Sequence, residues 1–229
     1  MLKFYKYFFI FLLTFFSAEV TESKNISANE VNIYTSRHYD TDGSLFELFT
    51  EQTGIKVNIL SGKGKALMER LRSEKNNSPA DIFITVDAGN LWKLQKDNFF
   101  QRINSEKILN NVPLNFRGPN NEWVGIAIRS RVFFYNPNRI SPEQIKTLNY
   151  EDLGSKDWKG RIAIRSSNNM YNQSLVASLI ANHGVEKTEK WAKNFVSNFS
   201  RKPQGNDRAQ ILAVANGEAD IAIANSYYI

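Results

Sequence analysis

The chain has 229 residues, enough for one large domain or two small lobes, and its 42% hydrophobic and 23% charged content suits a globular protein rather than a disordered one. It has no cysteine and only two histidines, His38 and His183. That excludes disulfides, iron–sulfur ligation, thiolate zinc sites and cysteine nucleophiles, and disfavours any site built from several histidines. The formal charge of +6 does not single out nucleic acid as a partner, because the basic residues are scattered and interleaved with acids, as in Glu186-Lys187-Thr188-Glu189-Lys190.

In chain order, the first segment has a basic start at Lys3 and Lys6 and an apolar run from Phe8 to Phe16. The run is too short to span a bilayer, and the pattern predicts a secretory signal peptide over residues 1–18, with Ala18 as its last residue. From Val31, "VNIYTS" reads as a strand. "SLFELFTEQTG" reads as a helix capped by Ser44 and stopped by Gly54. "KVNIL" is a strand, "KALMERLRSE" a helix and "ADIFITV" (from Ala80) a strand. Asp87 or Asn90 then caps a helix around "LWKLQKD". This alternation predicts an α/β lobe with a mostly parallel sheet.

The stretch from Glu122 to Pro137 is β-rich and has no helical period, which suits a crossover between lobes. Ser141-Pro142-Glu143-Gln144 has an N-cap serine, a proline at N1 and a glutamine at N3, a helix start. "RIAIR" (from Arg161) reads as a strand. Three helices follow, "SLVASLIANHG" ended by Gly184, "EKTEKWAKNFVSN", and "NDRAQILAVANG" ended by Gly217, before the strand "ADIAIA". Ala80-Asp81-Ile82-Phe83-Ile84 recurs in form as Ala219-Asp220-Ile221-Ala222-Ile223. Two lobes of similar construction, 19–125 and 126–229, would then face each other across a cleft, with loops at the C-terminal ends of their strands.

Chemistry concentrates in those loops. Tyr34, Tyr135 and Tyr150 lie in or beside regular elements and are read as packing residues. His38-Tyr39, Tyr171 and Tyr227-Tyr228 each follow a strand. Neighbouring residues in a strand point to opposite faces, so Tyr227 and Tyr228 share a target only if the backbone turns, which Asn225-Ser226 permits. A phenol is neutral at pH 7, with a pKa of about 10, but a hard, highly charged cation removes its proton. Ferric iron fits such donors. Three phenolates neutralise it and a fourth leaves an excess negative charge, for which Arg37, Arg131 and Arg165 are candidate partners. The other reading of the same tyrosines is hydrogen bonding to a small anion or organic solute. No nucleophile–base pair or paired carboxylates stand out, so no enzyme is indicated. His183 is read as a helix C-terminal residue, Gly62-Lys63-Gly64-Lys65 as a turn into a helix, and Ser166 to Asn169 as caps or an anion pocket.

The runs "NIYTSRHYDTD", "TEQTGIKVNILSGK", "SPADIFITVDAGNLW", "RSSNNMYNQSLVASLIANHG" and "NGEADIAIANSYYI" resemble the periplasmic ferric-iron-binding proteins of bacterial iron ABC transporters. The similarity is strongest to the cyanobacterial-type branch of the transferrin-like superfamily. The resemblance implies a two-lobed type II periplasmic substrate-binding fold, with mixed sheets flanked by helices and hinge strands between the lobes. It implies a first shell of His38, Tyr39, Tyr171, Tyr227 and Tyr228, with no glutamate ligand, since the loop after the second strand reads Ser61-Gly62-Lys63. The cargo implied is Fe3+, with Fe2+ as the alternative oxidation state. A periplasmic monomer that delivers iron to an inner-membrane ABC transporter permease is expected, with no nucleic-acid partner. Family members continue past Ser-Tyr-Tyr, so C-terminal elements are expected to be missing.

Overall fold

The computed structural model describes residues 29–37 and 39–228. The expected signal peptide and His38 lie outside the described residues. Two small sheets organise the rest. In the first lobe, β1 (Glu30–Thr35), β2 (Lys56–Ser61) and β3 (Ile82–Ile84) are parallel, in the order β2-β1-β3. Parallel neighbours need long crossovers, which here are helices. They are α1 (Asp40–Thr53) and α2 (Gly64–Glu74), and α3 (Ala88–Lys96) follows β3. Gly54 ends α1 at φ +70, in the left-handed region where the absence of a Cβ removes the steric penalty. One face of the sheet is closed by Tyr34, Leu67, Met68, Leu71 and Leu94, with Leu60 and Phe83 against them.

The path to the second lobe includes a short helix, α4 (Glu106–Asn111), and an isolated bridge between Arg117 and Val124. The long extended segment expected from Glu122 shrinks to β4 (Arg131–Tyr135). Just before it Ile126 and Ile128 are exposed, at 69% and 72%, and take part in no named strand.

In the second sheet, β6 (Ile221–Asn225) is central, antiparallel to β4 on one side and parallel to β5 (Ile162–Ala163) on the other. All five residues of β6 are buried. Alternation sends Ile221 and Ile223 into a cluster with Ile140, Leu153, Trp158, Leu175 and Phe195. Ala222 goes to the opposite face with Ala163, Ala213, Val214 and Ala219. The helices around this sheet are α5 (Pro142–Thr147), α6 (Met170–His183), α7 (Val185–Ser197) and α8 (Asp207–Ala215).

Several helix starts follow the expected chemistry. The Asp87 carboxylate accepts from the Gly89 N–H at 3.0 Å and caps α3, while Asn90 lies inside that helix. Ser141 Oγ accepts from the Gln144 N–H at 3.2 Å and caps α5. Two starts differ. α1 begins at Asp40, so Ser44 is an interior residue and Tyr39 occupies the N-cap position without a side-chain cap bond. α6 begins at Met170 under an Asn169 cap, which places Tyr171 in a helical first turn rather than a loop. The strand expected from Arg161 to Arg165 is reduced to two residues.

Candidate metal centre

β6 delivers the tyrosine pair. At its end the backbone turns through a short 3-10 segment, Ser226–Tyr228, as the sharing of one target required. The Tyr227 and Tyr228 rings lie 4.7 Å apart, centroid to centroid, tilted by 49°. The Ser226 N–H donates to the Ser130 carbonyl at 2.9 Å, and the Ser130 N–H donates to Ser226 Oγ at 3.2 Å. The turn therefore extends the β4–β6 ladder.

Beneath the turn lies a fully buried carboxylate. Asp207, the first residue of α8, accepts from Arg131, from Arg165 at 3.2 Å and from the Asn225 N–H at 3.0 Å. Asn225 Oδ1 accepts from Arg131 at 3.0 Å, and its amide donates to the Tyr227 hydroxyl at 2.8 Å. A buried charge is tolerated only when paired and hydrogen-bonded, and Asp207 is both. The result is a rigid mount for Tyr227.

Tyr171 projects from the first turn of α6 into a group of guanidiniums. Arg129, Arg165 and Arg131 stand 4.4, 5.6 and 5.9 Å from its ring centroid. Tyr39 comes from the first lobe, with Arg37 at 4.9 Å over its ring. Arg37 in turn forms a two-point ion pair with Asp42, at 2.8 and 2.9 Å.

The four phenols meet. Tyr39, Tyr171 and Tyr228 each lie near enough to the Tyr227 hydroxyl for its charge and hydrogen bonding to raise their pKa values. Burial pushes the Tyr171 phenol up to about 12, helped by the charge and hydrogen bond of Tyr227 and opposed by Arg129. Burial, and then Tyr227, also raises Tyr39 and Tyr228; Arg37 and Arg129 pull Tyr39 back, and Arg208 pulls back Tyr228. With their pKa values raised, Tyr39, Tyr171 and Tyr228 are neutral phenols at pH 7. A hard cation that displaces the protons would find oxygen donors already convergent.

The charges around them are uneven. Arg37 is matched by Asp42 and Arg129 by Asp87, but Arg131 and Arg165 share the single carboxylate of Asp207. That leaves one positive charge over beside Tyr171, and Arg208, 5.7 Å from the Tyr228 ring centroid, adds another to the group. Among the described residues, no group of three or more histidines, aspartates and glutamates gathers to hold a metal.

Of the residues singled out from sequence, the structure brings Tyr39, Tyr171, Tyr227 and Tyr228 together and sets Arg37, Arg131 and Arg165 against their rings. His38, next to Tyr39, is outside the described residues. Tyr34 is a packing residue that donates to Glu74, and Tyr150 donates to the Arg131 carbonyl. His183 pairs with Glu151 at the C-terminal end of α6. Ser166 and Asn169 accept from backbone N–H groups, as caps do. Arg129 and Asp207 escaped the sequence reading, and Asn225 was read only as part of the turn, not as a partner of Arg131 and Tyr227. Arg129 sits two residues before Arg131, and residues two apart on extended backbone share a face, so that spacing was a usable signal.

Residues 77–229 match the family described as bacterial extracellular solute-binding protein. The chain belongs to that family. Among named relatives, it is 53% identical over 200 residues to iron uptake protein A1 of Synechocystis, covering 87% of this chain and 55% of that protein. It is 43% identical to iron uptake protein A2 of the same organism, covering 92% and 59%. The chain thus spans little more than half the length of these family members. Among solved structures, the Trichodesmium protein (IdiA, FutA) in complex with iron and citrate superposes with a TM-score of 0.82 at 54% identity, covering 87% of this chain and 62% of that one. The Campylobacter jejuni ferric binding protein gives 0.78 at 40% identity, covering 86% and 62%. The fold is accordingly the two-lobed α/β type II periplasmic-binding-protein fold expected of a solute-binding family.

Proposed function

We propose that this chain carries the ferric-iron site of a periplasmic substrate-binding protein, which captures Fe3+ between its lobes and delivers it to an inner-membrane ABC transporter permease. The ligands in this reading are His38, Tyr39, Tyr171, Tyr227 and Tyr228. Residues 1–18 act as the export signal, and 19–125 and 126–229 form the lobes that close on the metal. The observation that carries the reading is the convergence of three phenols, from both lobes, on the Tyr227 hydroxyl. The charge arithmetic supports it. Four phenolates on Fe3+ leave one negative charge, and the guanidiniums of Arg131 and Arg165, which share Asp207, and of Arg208 beside Tyr228 supply the opposite sign around it. The family names and the iron-bound relative point the same way.

Stoichiometric ferric iron should give a broad visible phenolate-to-iron charge-transfer band. Tyr227→Phe should weaken that band and lower iron affinity by more than about 100-fold, the upper end of what losing an outer-shell partner costs. A protein that stays colourless would remove the tyrosinate site. The guanidiniums around Tyr171 favour a second reading, in which the tyrosines and arginines hold a small anion. A colourless protein stabilised against heat by such an anion is its signature.

A further inference from the structure

The cleft is bridged by one first-lobe carboxylate, Asp87. It follows β3, caps α3 through Oδ1, and holds φ at +79, a conformation that costs a residue with a Cβ. The same Oδ1 accepts from Ser174 Oγ at 2.6 Å, and Oδ2 accepts from Arg129 at 2.8 Å. Ser174 lies on α6 of the second lobe, three residues after Tyr171 and so on the same helical face. Arg129 lies on the crossover, with its guanidinium 4.4 Å from the Tyr171 ring centroid. Two residues on, in the first turn of α3, the lobes are in close contact. A Cβ placed on Gly89 would come within 2.7 Å of Met170 Sδ, at the start of α6. Strained residues persist where several interactions over-determine them, and Asp87 is held from three sides.

We infer that Asp87 is the interlobe latch of this cleft and a positioning residue for Tyr171. Its bond to Ser174 fastens the first lobe to the ligand-bearing helix, and its bond to Arg129 holds that guanidinium against the Tyr171 phenolate. Asp87 itself does not touch the metal. The inference rests on the iron reading of the site for its chemistry, but the latch itself is geometric. The two bonds separate by mutation. Ser174→Ala removes the interlobe bond and leaves Arg129 paired. Asp87→Asn keeps an acceptor for Gly89 and Ser174 but turns an amide N–H toward Arg129 in place of the second oxygen.

The test uses the full chain in three measurements: small-angle scattering without iron, release of ferric iron to an excess of a competing chelator, and the position of the visible band. Ser174→Ala should enlarge the radius of gyration and speed release by about tenfold, the scale of one lost hydrogen bond to a charged group, with the band unmoved. Asp87→Asn should speed release and shift the band, because Arg129 is freed from the ring. Wild-type scattering and release in Ser174→Ala would overturn the latch. An Asp87→Asn protein that keeps its band and release rate would reduce Asp87 to a helix cap. A wild-type protein that never colours would sink the iron reading alone. The iron-free scattering would still decide the latch, and unopened variants would overturn it.

Discussion

The two lobes carry sheets of three strands each, yet they are packed differently. β6 has both neighbours and both faces covered, one by the cluster around Ile221 and Ile223, the other by the alanine layer under α8. In the first lobe, one face meets α2 and α3 through Tyr34, while on β2 and β3 Ile59 and Ile82 remain 47% and 44% exposed. Three of the four convergent tyrosines stand on the second lobe and one on the first. The comparison separates a fully packed lobe that carries three of the tyrosines from a more open lobe that carries one. Precision is needed where donors must be fixed relative to one another, and burial on both faces provides it. Regions with fewer buried apolar contacts open at lower free energy.

The largest expected effect tests the packed lobe. Asp207→Ala leaves Arg131 and Arg165 without their shared carboxylate and the Asn225 N–H without its acceptor. It should cost about 4 kcal/mol in denaturant unfolding, as breaking buried ion pairs does. A loss no larger than that of a surface substitution would break the comparison.

A smaller pair of effects sharpens it. Ile223→Ala, in the closed second sheet, should cost about 3 kcal/mol, within the range for buried isoleucines. Ile82→Ala, in the half-exposed first sheet, should cost less than about 1 kcal/mol. Equal costs would mean that the first sheet is covered as well as the second.

The smallest effect is acid sensitivity. Burial pushes the Asp220 carboxyl up, but hydrogen bonds from Arg139 and Arg161 outweigh it and hold the group below the usual aspartate range. A depressed folded pKa contributes stability that is fully present above the unfolded aspartate value of about 4 and is lost as pH falls through the folded value. Asp220→Asn should therefore melt earlier than the parent at neutral pH, and the gap should close in strong acid. A gap that persists unchanged would mean that the asparagine fails through packing rather than charge. In the first lobe, Asp42 is held down by Arg37 alone, against its burial.

The sequence showed the order of elements and the tyrosines better than it showed the ground they stand on. The succession of strands and helices, the Asp87 and Ser141 caps and the turn at Asn225-Ser226 follow from local rules, and local rules are legible residue by residue. The two helix starts that local rules place too late, at Asp40 and Met170, adjoin or carry Tyr39 and Tyr171. Their first turns lack the apolar period that announces a helix, because those turns face the cleft rather than a core. The pairing of Asp207 with Arg131 and Arg165 spans 76 and 42 residues of chain, beyond any local pattern. In sequence, Asp207 is only an acid in the first turn of a helix.

The stitch between Ser226 and Ser130 has a consequence for genetics. Because the donor turn is hydrogen-bonded to the crossover, the segment just ahead of Arg131 and the tyrosines at the chain's far end are structurally one joint. If the proposed iron site holds, a saturation scan for loss of iron binding should find, besides the positions around Tyr39, Tyr171 and Asp207, two coupled stretches about 100 residues apart. The upstream stretch contributes no ligand. Its substitutions would be scored as distant, yet they would act on the donors through a pair of hydrogen bonds.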